Sequence, residues 1–327
     1  MAEFVLATLL IALTMYAVLA GADFGAGMIE PFVGGSGSVD VALAPVWEAN
    51  HVWLVLALVL AFVGFPNFYA IAADHLHLPL LFVLLGIVAR GSAFTFRHYD
   101  PDPGALKHWY TAVFRVASLL TPLFLGITLA ATAAGTFPSD PRAGFYAIYI
   151  APWNTAFGWA TGVFVCALFA FEGAALFAAE QALHGLPLPH APVARFTHLL
   201  SIACGAIVFG IAYVQHLQWF AQALHSAGAL VAFAIATAMI PLVARAFDRG
   251  RPWLLRIAMA VQVGCVLLGF FAGQFPILIR LDSGPLTYRA AAAPPATLHA
   301  MIWTLVIGLG LILPSLTYLI RVYKQPA

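Results

Sequence analysis

Five carboxylates, Asp23, Glu30, Glu48, Glu172 and Glu180, lie within or at the ends of long apolar runs. An ionisable side chain in hydrocarbon is expensive to hold, so each is a functional candidate. Such groups can pass protons along a buried path, or serve as caps and interface residues near the lipid headgroups. Glu30 and Glu180, closest to run ends, fit the second role better. Asp23 sits in Gly21-Ala22-Asp23-Phe24-Gly25-Ala26-Gly27-Met28. There the pairs Gly21/Gly25 and Ala22/Ala26 form a small-residue face that lets another helix approach closely. Glu48 sits in Pro45-Val46-Trp47-Glu48-Ala49-Asn50-His51-Val52-Trp53. Glu48 and His51 share a helix face, so a carboxylate and an imidazole can exchange a hydrogen bond or relay a proton. Trp47 and Trp53 suit a membrane-interface belt equally well.

The elements that must hold these residues are apolar helices. The 327 residues are 63% hydrophobic and 8% charged, with a mean hydropathy of +0.96. A soluble domain carries about 25% charged residues, and disorder needs low hydrophobicity with high charge. Runs of about 20 apolar residues mark spanning helices near 4–32, 46–73, 76–97, 113–134, 153–183, 197–215, 222–246, 253–279 and 297–323. Span length favours helices over a barrel. The expectation is an all-α integral membrane protein of about nine helices, one transmembrane domain over 1–327, with short Gly- and Pro-rich connections. The first run has no small-residue cleavage site and is expected to remain as the first span.

Eleven of the 14 basic residues fall on one side: Arg90, Arg97, Lys107, Arg115, Arg195, Arg245, Arg249, Arg251, Arg256, Arg321 and Lys324. Arg142, Arg280 and Arg289 fall on the other. The positive-inside rule then predicts an outside N-terminus and a cytoplasmic C-terminus. At 1.5 Å per residue, Asp23 lies roughly 30 Å from the outer start of its helix. Glu48 opens the second span from the inner side, and Glu172 and Glu180 follow far along the fifth. All four acids are expected in the cytoplasmic half. Arg90 and Arg97 are expected to anchor the inner end of the third span through lipid or interface contacts.

Several chemistries are not expected. Of 11 histidines, only His51, His198 and His299 fall within or at the edge of spans. No two helices repeat a histidine pair at helical spacing, so no haem held by this chain is anticipated. Cys166, Cys204 and Cys265 lie in apolar stretches at no metal-ligand spacing. The net charge of +1 offers no basic patch for nucleic acid. A Walker loop, an HExxH motif and a triad arrangement are all missing. A proton-coupled secondary transporter is the competing class. Such folds favour helix breaks matched between halves, whereas Pro66, Pro122, Pro241 and Pro276 are scattered.

The segments GADFGAGM at 21–28, PVWEANHVWLV at 45–55 and RGSAFTFR at 90–97 resemble the cytochrome bd quinol oxidase subunit II family. A weaker match runs from Leu281 through Met301-Ile302-Trp303 to Tyr323. The resemblance implies two four-helix bundles plus one peripheral helix in a bacterial inner membrane. It also implies a partner, subunit I, whose b- and d-type haems oxidise quinol and reduce dioxygen to water. This chain would then carry no catalytic residue. It would stabilise the complex, shield the haems from lipid and contribute a cytoplasmic proton path with Glu48 at its mouth, where many members have Asp. A pure scaffold without a proton role is the alternative within the family. Glu172 stands where the resemblance implies a neutral or imidazole side chain. Single-helix accessory subunits occur in some such complexes, and Phe-rich grooves would suit a structural quinone or lipid.

Overall fold

A computed structural model describes residues 1–33, 47–100, 104, 106–134, 137–140, 142–183 and 191–323. The helices are α1 (Ala2–Ile29), α2 (Trp47–Gly64), α3 (Pro66–His75), α4 (His77–Tyr99), α5 (Leu106–Ala134), α6 (Phe145–Tyr149), α7 (Ala156–Leu183), α8 (Ala191–Val214), α9 (Gln218–His225), α10 (Ala227–Asp248) and α11 (Pro252–Gln274). An antiparallel hairpin of β1 (Ile277–Leu281) and β2 (Gly284–Thr287) follows, then α12 (Tyr288–Ala291) and α13 (Pro295–Tyr323). Eight helices among the described residues are long and apolar enough to cross a membrane, and a bent pair brings the number to nine if it counts as one span.

That bent pair corrects the single span expected over 46–73. The axes of segments 50–64 and 66–75 differ by 113°. Pro66 lacks an amide hydrogen and disfavours helical geometry at Phe65, whose φ and ψ are −134° and 62°. Pro66 then starts α3 at a position proline suits. The run expected over 253–279 also divides. Helix α11 ends at Gln274, and Ile277-Leu278-Ile279 enters a strand that the apolar run alone did not reveal. The run expected over 222–246 is interrupted at Ser226, whose side chain accepts from Ala229 N to start α10.

Helices α1, α2, α4 and α5 form one group, and α7, α8, α10 and α11 the other. They meet where α1 and α5 pack along α7. Lipid tails give helices no hydrophobic reason to associate, so close backbone approach has to supply the contact. A Cβ on Gly25 would overlap the Phe169 carbonyl, and one on Gly173 would overlap the backbone of Gly25 and Ala26. Helix α13 rests on α2 and α1, with Leu298, Met301 and Leu305 packed beside Val5, Leu9 and Leu60.

At the hairpin end of the bundle the loops are pinned together. Ser139 donates from its amide to both Asp282 oxygens at 2.9 and 3.0 Å, and its hydroxyl also donates to Asp282. Donation by that hydroxyl, then by the amide, lowers the Asp282 pKa. Tyr288 donates to Glu3 at 3.0 Å.

The glycine seam predicts that Gly25→Leu abolishes recovery of folded chain from membranes, because α1 and α7 cannot approach. Gly210→Leu, where no atom lies within 4 Å of the added Cβ, is expected to be tolerated. Size-exclusion profiles of the detergent-solubilised variants compare the two.

Candidate functional site

The acid-bearing end of the bundle is organised by two arginines on α4. Asp23 and Glu30 are seven residues apart, as are Arg90 and Arg97. Seven residues is close to two helical turns, so each pair lies along one helix face. The two faces meet rung for rung. Arg90 Nη1 donates to Asp23 Oδ2 at 2.8 Å, and Nη2 donates to Oδ1 at 2.8 Å and to the Asp23 carbonyl at 3.0 Å. Its Nε donates to Ser118 Oγ on α5 at 3.1 Å. One rung on, Arg97 donates to Glu30 Oε2 at 2.9 Å and Arg115 to Oε1 at 3.2 Å. Both Asp23 and Glu30 are buried.

Aromatic faces complete the arginine sites. The Arg90 guanidinium lies 4.9 Å from the Phe24 ring and 4.8 Å from Phe114, and Arg97 lies 4.3 Å from Phe114. A planar guanidinium suits both tasks, forking to a carboxylate while its faces meet rings. Arg90 and Arg97 therefore reach into the protein, tying α4 to α1 and α5. The matched seven-residue spacings were visible in the sequence. Only the relative rotation of α1 and α4 turns them into pairs.

The other acids divide in the same terms. Glu180 on α7 pairs with Arg256 on α11. Glu172 is fully buried, and neither carboxylate oxygen has a hydrogen-bond partner among the described residues. It lies 11 residues before the end of α7, about 16 Å along the axis. Its Oε2 occupies the space a Cβ on Gly21 would take, so the carboxyl is wedged into the α1–α7 seam beside Phe169.

From α2, Asn50 donates to the Leu19 carbonyl at 3.3 Å, and Trp53 packs against the cluster around Tyr16, Phe24 and Phe169. The His51 ring lies 6.0 Å from the Tyr16 ring and 6.3 Å from Phe24. His51 Nδ1 and the Tyr16 hydroxyl are buried without a partner among the described residues. Trp47 and Glu48 form the first turn of α2, and their side chains lie outside the described residues. On the far side of α7, His198 meets Gln262 Oε1 at 3.1 Å and stacks on Phe171 at 4.3 Å.

Comparison with known proteins decides what family such a bundle belongs to. The family model described as cytochrome bd terminal oxidase subunit II matches residues 1–323. The chain belongs to that family. Cytochrome bd ubiquinol oxidase subunit 2 of Bacillus subtilis (strain 168) is 37% identical over 113 residues, 33% of each chain. Cytochrome bd-I ubiquinol oxidase subunit 2 of Escherichia coli (strain K12) is 22% identical over 335 residues, covering 91% of this chain and 87% of that one. A chain in the structure of bd oxidase from Geobacillus thermodenitrificans superposes with a TM-score of 0.80 at 18% identity, over 99% of this chain and 98% of that one. That likeness establishes a shared fold. Membership of the family and eight apolar helices make this a multi-pass bacterial inner-membrane protein.

Removing one partner of a buried ion pair leaves the other charge uncompensated, at a cost of about 3–5 kcal/mol. Arg90→Leu should therefore destabilise the chain by about that amount. Arg97→Leu should be milder, because Arg115 also donates to Glu30. Thermal unfolding in detergent reads the difference, and equal losses for the two variants would contradict the assigned roles.

Proposed function

We propose that this chain is the haem-free subunit II of a bd-type terminal quinol oxidase. In this reading it binds a haem-bearing subunit I, which oxidises quinol and reduces dioxygen to water. The end-to-end family match is the observation that carries it. The same match favours it over a proton-coupled transporter. The chain's own contribution is a rigid helical wall and a proton entrance. Helix α1 is fixed through Asp23 to Arg90 and through Glu30 to Arg97 and Arg115, and α7 through Glu180 to Arg256. These pairs are the structural part of the acidic end.

Glu48, in the first turn of α2, is the proposed entrance on the cytoplasmic side, with His51 one turn further along the same face. The orientation follows from the uneven distribution of basic residues. A cavity of about 170 Å³ between the two helical groups is lined by Tyr16, Leu129, Phe164, Phe169 and Trp219 among others, and suits a structural quinone ring or lipid chain.

Purification from native membranes in mild detergent should bring down a larger haem protein with a d-type absorption band. A colourless chain isolated alone would overturn the assignment. Within the intact complex, Glu48→Gln should slow quinol-driven oxygen uptake while the haem spectrum persists. Unchanged turnover would make the chain a scaffold, and loss of the haems would make Glu48 structural.

A further inference from the structure

Burial without a partner among the described residues separates Glu172 from Asp23, Glu30 and Glu180. A polar group excluded from water needs a hydrogen-bond partner, and a buried charge needs a counter-ion or a coordinating shell. Asp23, Glu30 and Glu180 each have an arginine. Glu172 has neither arginine nor hydrogen-bond donor among the described residues, although it is wholly buried. Its carboxyl fills the space over Gly21 beside Phe169, in the same seam where Gly25 and Gly173 bring the backbones together.

Two further polar atoms without partners among the described residues border the same stretch of α1. Tyr16, whose hydroxyl is one of them, stands five residues before Gly21 on α1, and the His51 ring lies 6.0 Å from the Tyr16 ring and 6.3 Å from Phe24. Phe24 stacks on Phe169 at 6.5 Å, and Phe169 flanks the space over Gly21 that the Glu172 oxygen fills. Three polar groups from α1, α2 and α7 thus surround one aromatic pair. Such groups are satisfied by ordered water, each molecule making two to four hydrogen bonds.

We propose that Glu172 is a proton-holding site inside this chain, connected by internal water to the Tyr16 hydroxyl and the His51 ring. The inference rests on the proton-entry reading above and assigns the interior station of that path. In the loading step a Glu172 carboxylate oxygen takes a proton from an adjacent water as that water receives one from the entrance side of the water chain. The O–H bond broken at the donor is thereby replaced and no hydroxide is left behind. In the unloading step the carboxyl O–H breaks and the proton passes to an acceptor water, with no redox change. The two oxygens have no fixed cation beside them among the described residues, which leaves the group able to load and unload. Asp23, gripped at both oxygens by Arg90, is not.

Infrared difference spectroscopy on the intact complex tests this. The parent should show a protonated-carboxyl C=O stretch that shifts in D2O and is lost in Glu172→Gln, with slower quinol-driven oxygen uptake. Glu172→Asp keeps the carboxyl and should restore both the band and part of the turnover. The proposal fails if Glu172→Gln retains the band and the parental rate. It also fails if the parent lacks the band and its turnover depends on sodium, which would make Glu172 a cation ligand. If Glu172→Gln does not assemble, Glu172→Asp alone decides, since a complex without the band overturns the assignment. Failure of the parent chain to co-purify with a haem subunit would defeat the underlying oxidase reading instead, and is seen before any variant is made.

Discussion

The bidentate grip of Arg90 on Asp23 is the interaction on which the rest of the acidic end depends. A guanidinium and a carboxylate held within a bilayer bundle can both stay charged only together. Here the fork is closed at both oxygens and capped by the Asp23 carbonyl and the Ser118 hydroxyl. This fixes the rotation of α4 about α1. Once that rotation is set, Arg97 meets Glu30 one rung further along, and Arg115 reaches the same carboxylate from α5. Phe114 sits between the two arginines and offers its ring to each.

The fixed α1 presents its opposite face to α7. Gly25 and Gly173 let the backbones touch, and the small faces that make this possible are the ones flanking the aspartate in sequence. One seven-residue stretch of α1 therefore serves two neighbours, an arginine on one side and a glycine-lined helix crossing on the other. Glu172 enters that crossing without a counter-ion among the described residues, while Glu180 two turns on has Arg256. Among the described residues, what sets Glu172 apart from Asp23, Glu30 and Glu180 is the missing arginine.

Much of this was legible in the sequence because a bilayer imposes long apolar runs whose ends are easy to place. The small-residue face around Asp23 and the apolar runs behind the eight described helices follow from that. Breaks were harder to read. Pro66 can kink or end a helix, and only the structure showed that it turns the chain by 113°. Ile277-Leu278-Ile279 reads as a continuation of α11, yet it follows Pro276 and pairs with Leu286 and Thr287 in a hairpin. Site pairing was least legible of all. The spacings of Asp23 with Glu30 and Arg90 with Arg97 are plain, but which arginine meets which acid depends on helix rotation, to which lipid-facing and partner-facing apolar residues give no guide. For the same reason Glu172 reads like its neighbours in sequence and differs only in what surrounds it.

The paired acids lock the bundle through charge complementarity. Exchanging the partners, Asp23→Arg together with Arg90→Asp, tests it most directly against each single reversal. Assembly with the proposed haem-bearing subunit I, measured as haem-containing complex recovered from membranes, should be abolished by either reversal alone and partly restored in the exchange. Equal recovery for the single reversals and the parent, or no recovery in the exchange beyond the singles, would contradict the account.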